Sequence, residues 1–193
     1  IERQVGRRAL VGSTDQNQPV LEGSFERLLE ILQEHLAHQP FMLGVRPARS
    51  DMALYGQLKP MLWWDPTSTA LATARAPRAV NWIERVDDLS SWPVADEQGG
   101  WDATDALAPT VRRLLREVGR TYAPFMVANA AALRSGADEM VCTIDGQTYS
   151  QSPFGYQGKC LVWLREQYSA LADADRATVD LLLAGTGCEI LFV

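Results

Sequence analysis

Apolar residues recur at the spacing of an α-helix along most of this chain. The first stripe consists of Leu21, Phe25, Leu28, Leu32 and Leu36. Charged residues occupy the other faces of the segment, as in a helix that packs one side against a core. Asn17 and Pro19 are typical of a helix start, and Pro40 stops the pattern. The first predicted helix therefore lies between these residues.

The same periodicity predicts helices in the rest of the chain. They are expected over Arg49 to Leu62, through Leu71, over Val80 to Val86, over Leu107 to Val118, over Phe125 to Leu133, over Cys160 to Leu171 and over Ala174 to Leu183. The segment "WWDPTS" interrupts the pattern after the second helix. Pro77 suits the first turn of the helix that contains Val80. Gly136 is expected to end the helix that contains Leu133.

One segment, "EMVCTIDGQTYSQ", alternates with a period of two, which indicates a strand. Apolar side chains alternate with others from Met140 to Ile144, and the following Asp145-Gly146 pair is typical of a two-residue hairpin turn. The sequence therefore predicts a mainly α fold with a small β-hairpin near residues 139–151.

A change in composition divides the chain into three parts. The segment "LSSWPVADEQGGWDATD" is polar, contains Gly-Gly and has no period, which indicates a linker at 90–103. The linker follows a helical domain at 1–89 and precedes a helical extension at 104–193, which contains the hairpin. Because the chain starts at Ile1 rather than Met, we expect a processed product or a piece of a longer protein.

Composition narrows the classes of function. The 193 residues are 47% hydrophobic and 22% charged, as in ordinary globular proteins, and the net charge is −6. Nucleic-acid binding needs a basic surface and is disfavoured. We find no apolar run that could span a bilayer and no secretory leader, and we expect a cytoplasmic protein without a membrane partner. Three widely spaced cysteines without a CxxC pair favour reduced thiols over disulfides or a zinc site.

Asp51 directly precedes the apolar run Met52-Ala53-Leu54-Tyr55. If Ala48 is the N-cap, Asp51 is the third helical residue, and its carboxylate can accept hydrogen bonds from free backbone N–H groups. This structural helix-cap role is favoured over general acid or base chemistry, for which no partner is placed nearby. We expect the helix behind Asp51 to be buried and Tyr55 to lie in the core rather than in a catalytic site.

Other polar candidates favour structural roles. His35 and His38 could face one metal ion from a single helix, but no acidic or thiol ligand is fixed beside them. Surface histidines are favoured, and no metal site is predicted. Cys160 follows Lys159, but neighbours along a helix point in different directions. A buried structural cysteine is therefore favoured over an activated thiol at this position.

Three segments, "QPFMLGVRPARSDMALYGQL", "DPTS" and "APRAVNWIERVDDL", resemble the C-terminal all-helical domain of glutathione S-transferases. In that family a Ser/Thr-x-x-Asp box opens a buried central helix. Ala48 and Asp51 match its ends here, so the hydroxyl is missing, and Ser50 is an alternative cap. The resemblance covers residues 1–89. Residues 104–193 are similar to an extension found in some bacterial glutathione-transferase-like proteins.

The resemblance implies a glutathione-transferase C-terminal-like helical bundle that lacks the lobe needed for thiol chemistry. In the family, an N-terminal thioredoxin-like domain binds glutathione and supplies a catalytic Ser, Tyr or Cys. That domain is absent from this chain, so the catalytic residue is unknown and we expect the chain alone to be inactive. The expected partner is the missing thioredoxin-like domain, and the resemblance also allows a second copy in a homodimer. Glutathione would be a cosubstrate of the parent protein, and no cofactor is expected in this chain.

The resemblance also implies where an apolar electrophile would bind. Met61, Trp63 and Trp64 follow the helix that Asp51 opens and are candidates for the substrate wall, because aromatic faces orient flat ligands. Ordinary core, or an interface with the missing domain, is nevertheless the favoured interpretation of these three residues. The implied function is the hydrophobic-substrate side of an enzyme acting on small electrophiles. The alternative is a noncatalytic ligand-binding or protein-interaction module of the same fold.

A row of arginines lies along the helix that begins the extension. It consists of Arg112, Arg113, Arg116 and Arg120. The row could meet an acidic partner or a carboxylate of glutathione, but a solvated helix face is favoured.

Overall fold

A computed structural model describes residues 2–93 and 99–193 and is mainly helical, as predicted. The α-helices are α1 (Glu2–Val5), α2 (Gln18–His35), α3 (Arg49–Lys59), α4 (Pro66–Arg75), α5 (Pro77–Asp87), α6 (Pro109–Ser135), α7 (Gly155–Ser169) and α8 (Asp173–Leu183). The described residues also form two 3-10 helices, Arg8–Val11 and Cys188–Phe192, and a π-helix, Pro60–Trp64, between α3 and α4. Within the described residues, no helix combines the length and the apolarity needed to cross a membrane.

The predicted hairpin is confirmed. Strands β1 (Met140–Ile144) and β2 (Gln147–Gln151) pair antiparallel, and Ile144 lies opposite Gln147. The two turn residues have positive φ angles, 53° at Asp145 and 75° at Gly146. This backbone matches the right-handed twist of the two strands, which explains why an Asp-Gly pair occupies the turn.

The described chain forms two compact units. One comprises Ile1–Phe25 with Leu115–Val193, and the other comprises Glu26–Leu114. These bounds differ from the predicted 1–89, 90–103 and 104–193, because residues before Phe25 belong to the unit that contains the hairpin, as the hydrogen bond from Asn17 to Ser150 illustrates. Of the predicted linker, residues 94–98 lie outside the described residues.

The unit Glu26–Leu114 has a core built from α2, α4, α5 and the segments between them. Its buried apolar side chains include Leu29, Leu32, Phe41, Leu62, Trp82 and Ile83. Pro66 and Pro77 occupy first-turn positions of α4 and α5, where a missing N–H costs no helical hydrogen bond. Asp65 caps α4 by accepting the Ser68 N–H at 2.8 Å.

Helix α3 is shorter and more exposed than predicted. It ends at Lys59 instead of Leu62, and within it only Asp51 and Leu58 are buried. Met52 is 44% exposed. The prediction of a buried central helix was wrong because the apolar residues after Asp51 are consecutive. At 3.6 residues per turn, consecutive residues spread around the helix instead of sharing one face.

The unit that contains the hairpin packs around α6 and α7. Its buried cluster includes Met126, Met140, Ile144, Tyr149, Leu161 and Leu191. Helix α6 runs without a break through Pro124, where two helices were predicted. It ends as predicted at Gly136, which has a φ of 68°, and the Ala137 N–H closes the end by donating to the Ala132 carbonyl at 3.0 Å.

Two fully buried asparagines pair with backbone groups in this unit. Asn17 Nδ2 donates to the Ser150 carbonyl at 2.8 Å, and Asn17 Oδ1 accepts the Ser150 N–H at 3.2 Å. Asn129 Nδ2 likewise donates to the Phe154 carbonyl at 3.1 Å, and Asn129 Oδ1 accepts the Phe154 N–H at 2.8 Å. An amide side chain has one acceptor and a donor group in the arrangement of a peptide, so each asparagine satisfies both polar groups of one backbone residue. These pairs attach β2 to the start of α2 and the start of α7 to α6.

Candidate functional site

Asp51 lies at the third position of α3 and is fully buried. Its Oδ2 accepts the N–H of the N-cap residue, Ala48, at 2.9 Å, and its Oδ1 accepts the N–H of Met42 at the same distance. Ala48 has no side-chain acceptor, so only the carboxylate half of a capping box is present. Ser50 lies inside α3 and does not act as the cap.

Burial raises the pKa of Asp51 above its ordinary value, and the hydrogen bonds from Ala48 and Met42 oppose that rise, as does the nearby His35. Both carboxylate oxygens accept hydrogen bonds from backbone amides of the same unit. The contacts therefore give Asp51 a structural task, which is to hold the chain between Met42 and Ala48 against the start of α3.

His35 is buried, whereas a surface position was predicted. Its Nε2 lies 2.9 Å from the Phe41 carbonyl and its Nδ1 lies 2.7 Å from Thr110 Oγ1. Because a carbonyl can only accept, Nε2 carries a proton, and Nδ1 shares the other hydrogen bond with the Thr110 hydroxyl. His38 is exposed. No group of three metal-ligating side chains occurs in the described residues.

The three predicted substrate-wall residues lie on the π-helix. Trp63 and Trp64 are 45% and 73% exposed, so the interpretation of these two as ordinary core was wrong. Met61 is half-buried, and its carbonyl accepts the Thr69 hydroxyl at 3.4 Å. Between Met61 and Trp63, Leu62 is fully buried and anchors the segment in the core. The π-helix thus presents two large aromatic faces from a fixed base.

A polar cluster beside the π-helix was missed in the sequence. Tyr55 donates its hydroxyl proton to Asp87 and accepts a hydrogen bond from Lys59 Nζ at 2.9 Å, and Lys59 also pairs with Asp87. Tyr55 is half-buried, so its predicted place in the core was wrong. The four-residue spacing of Tyr55 and Lys59 on α3 was a visible signal, but the position of Asp87 at the end of α5 was not.

Hydrogen bonds shift both ionisable groups of this cluster toward their charged forms. The hydrogen bond with Asp87, followed by that with Tyr55, raises the pKa of Lys59. The hydrogen bond from Lys59, followed by that from Tyr55, lowers the pKa of Asp87. Tyr55 therefore lies between two charges that stabilise each other.

The remaining candidates have ordinary partners. Arg113 pairs with Glu34, and Arg120 lies 3.6 Å from a carboxylate oxygen of Asp145. At least these two arginines of the row thus form ion pairs within their own units. Cys160 is half-buried against the apolar cluster. All three cysteines are unpaired, as their spacing predicted.

Comparison with known proteins gives no relative for this chain: no family model matches it, and neither a curated protein nor a solved structure matches it. Function is therefore inferred from the geometry of Asp51, the π-helix and the Tyr55 cluster. All three lie in the unit Glu26–Leu114.

Proposed function

We propose that the unit Glu26–Leu114 is the hydrophobic-substrate side of a glutathione-transferase-like enzyme, with the helical bundle of that family's C-terminal domain. The proposal depends chiefly on the π-helix Pro60–Trp64. π-Helical turns are rare, because their extra residue disturbs the regular hydrogen bonding of an α-helix. Those that do occur are frequently found at functional sites. Here the turn follows directly after the helix that Asp51 opens.

The anchoring of Asp51 supports the family assignment. In the family that the chain resembles, the matching aspartate opens the central helix of the domain. Here both oxygens of the fully buried Asp51 carboxylate accept hydrogen bonds from backbone N–H groups around that helix start. The missing hydroxyl at Ala48 leaves one amide of the first turn without a side-chain acceptor. The second amide contact, from Met42, adds a charge-assisted hydrogen bond that offsets this loss.

The exposed faces of Trp63 and Trp64 support the substrate class. An indole face offers a large, rigid apolar surface at little cost in conformational entropy, which suits a flat apolar electrophile. Leu62 fixes the backbone between Met61 and Trp63, so the surface is largely formed before a ligand arrives. A small aromatic electrophile stacked on these faces is the ligand that the surface fits.

Glutathione binding, under this proposal, belongs to a companion thioredoxin-like lobe. Over residues 2–93 and 99–193 the only sheet is the β1–β2 hairpin, which lies in the other unit. Glutathione is then a cosubstrate held by the companion lobe, which also supplies the catalytic Ser, Tyr or Cys. The chain alone should neither retain glutathione nor accelerate its reaction. A homodimer of the complete enzyme in the cytoplasm belongs to the same proposal.

The experiment compares this chain with a polypeptide that joins it to its companion lobe. We expect the joined protein to be retained on immobilised glutathione and to turn over 1-chloro-2,4-dinitrobenzene, while the chain alone does neither. A joined protein that folds but neither binds glutathione nor conjugates this electrophile would overturn the proposal.

A noncatalytic interaction module is the second candidate, and the 73% exposure of Trp64 favours it. So large an exposed aromatic surface is typical of protein contacts. In that case Trp64→Ala would weaken an assembly of the joined protein, measured by sedimentation, and leave any turnover unchanged. Under the enzyme proposal, the same substitution raises the KM for the electrophile.

A further inference from the structure

A groove of about 470 Å³ opens between α6 and α7, in the unit that contains the hairpin. Its apolar lining includes Leu133, Val162 and Trp163, which are 38%, 53% and 48% exposed. The volume lies within the range of small-molecule sites, roughly 300–1,000 Å³. A concave site lined mostly by apolar side chains, with a few polar groups, is typical of small-molecule binding.

The groove is held open by fixed contacts. Asn129 of α6 pairs with the backbone of Phe154, immediately before α7, and thereby sets the start of α7 against α6. Gly155 and Gly158 line the groove without side chains. A Cβ at Gly155 would meet no atom within 4 Å, whereas a Cβ at Gly158 would lie 2.6 Å from Leu133 Cδ1. Gly155 therefore faces open space, and Gly158 permits the close approach of Leu133.

Two cations complete the lining. Arg134 and Lys159 border the groove, and within the described part of the chain neither has a carboxylate within 4 Å. The chain as a whole is acidic, with a net charge of −6. An overall excess of basic residues therefore does not account for two unpaired cations beside one apolar groove. An anion is the complementary partner for this end of the groove.

We propose that the α6–α7 groove binds an amphiphilic carboxylate. The apolar body would lie against Leu133, Val162 and Trp163, and the carboxylate would pair with Arg134 and Lys159. The planar guanidinium fork of Arg134 matches a carboxylate with two parallel hydrogen bonds, and Lys159 adds a point charge. This site lies in a different unit from the proposed electrophile surface and does not depend on the enzyme proposal.

Calorimetric titration of the full chain with dodecanoate, dodecanol and dodecyltrimethylammonium tests the head group. The three probes share the apolar tail and differ in charge. We expect dodecanoate to bind at least about tenfold more tightly than dodecanol, which corresponds to about 1.4 kcal/mol, and the cationic probe to bind most weakly. Equal binding of dodecanoate and dodecanol, or no binding of dodecanoate, would overturn the proposal.

Exposed substitutions locate the site with little risk to folding. The double variant Arg134→Gln with Lys159→Gln should reduce dodecanoate affinity about tenfold and leave dodecanol affinity unchanged. Arg116→Gln, an exposed arginine of the same helix outside the groove lining, is the matched control and should change neither affinity. Gly155→Leu should fill the groove and abolish binding of both probes.

Lysine labelling gives a readout without a variant, because the chain contains two lysines, Lys59 and Lys159. Saturating dodecanoate should slow the acylation of Lys159 by an amine-reactive reagent and leave Lys59 unaffected. Binding of dodecanoate without protection of Lys159 would place the ligand elsewhere and would overturn the proposal. Protection that dodecanol reproduces equally would favour a docking surface for an apolar partner instead and would also overturn it.

Discussion

The carboxylate of Asp51 accepts the backbone N–H of Met42, nine residues earlier in the chain, at 2.9 Å. The other carboxylate oxygen accepts the N–H of Ala48, so one buried side chain closes the connection that leads into α3. A loop closed by a fixed acceptor has less freedom to move than its length suggests. The same connection holds the start of the helix from which the π-helix extends.

Replacing Asp51 by alanine should destabilise the fold by about 1–3 kcal/mol, measured by chemical denaturation. Two amides lose a charged acceptor, although relief of the buried charge offsets part of the loss. Asp65→Ala is the matched control, because it removes a helix-capping carboxylate that is exposed, and its effect should be smaller. Equal midpoints for the Asp51 variant and the wild type would refute the anchoring role.

The Lys59–Asp87 pair should contribute stability across neutral pH and lose it at both extremes. The pKa of Asp87 is lower in the folded protein than its unfolded value of 3.8. Asp87 therefore contributes stability above pH 3.8, and this stability is lost as the pH falls through the lower, folded pKa. The raised pKa of Lys59 makes its contribution present below 10.5 and lost as pH rises through the higher folded pKa.

Asp87→Asn isolates the acid limb of this dependence. The variant should be less stable than the wild type at pH 7, and the difference should shrink as pH falls below 3.8. Denaturant midpoints measured across this range check the expectation. A difference that stays constant down to the lowest accessible pH would show that ionisation of Asp87 is not its source.

Gly146→Ala and Gly56→Ala should have opposite effects on stability. A Cβ would meet no atom within 4 Å at either position, so packing does not separate the two variants. Gly146 has a φ of 75°, where alanine costs about 1 kcal/mol, whereas Gly56 lies inside α3, where alanine gains about 0.5–1 kcal/mol. Thermal unfolding measures both, and a loss of stability in Gly56→Ala would contradict the backbone argument.

Asn129→Asp should destabilise the unit that contains the hairpin by about 3 kcal/mol. The aspartate keeps the acceptor for the Phe154 N–H but loses the donor to the Phe154 carbonyl, and it places a charge in a fully buried position. Asn81→Asp, an exposed position on α5, is the matched control and should change little. Hydrogen exchange at the start of α7 should accelerate in the Asn129→Asp variant. Unchanged protection there would contradict the claim that the Asn129–Phe154 pair attaches α7 to α6.

Local signals in the sequence predicted the helices and the hairpin turn. Pro77 starts a helix, Gly136 ends one, and Asp145-Gly146 forms the turn, because each depends on the backbone preference of one or two residues. Long-range partners have no such local signal. Asn17 was expected to start a helix, yet its side chain pairs with Ser150, a residue 133 positions away.

The candidate site was predictable only in part, for the same reason. The position of Asp51 at the start of α3 follows from spacing, but its contact with Met42 depends on the path of the loop. The burial of His35 depends on Thr110 and the Phe41 carbonyl, which its own helix does not reveal. The groove between α6 and α7 requires the packing of two helices and was not visible in either one alone.

The central claim, that the π-helix presents the electrophile surface, is tested most directly by the KM of the joined protein for 1-chloro-2,4-dinitrobenzene. The double variant Trp63→Ala with Trp64→Ala should raise this KM about tenfold and leave the KM for glutathione unchanged. Trp101→Ala, a 48% exposed tryptophan of the same unit, is the matched control and should alter neither value. An unchanged KM for the electrophile in a folded Trp63/Trp64 variant would contradict the claim.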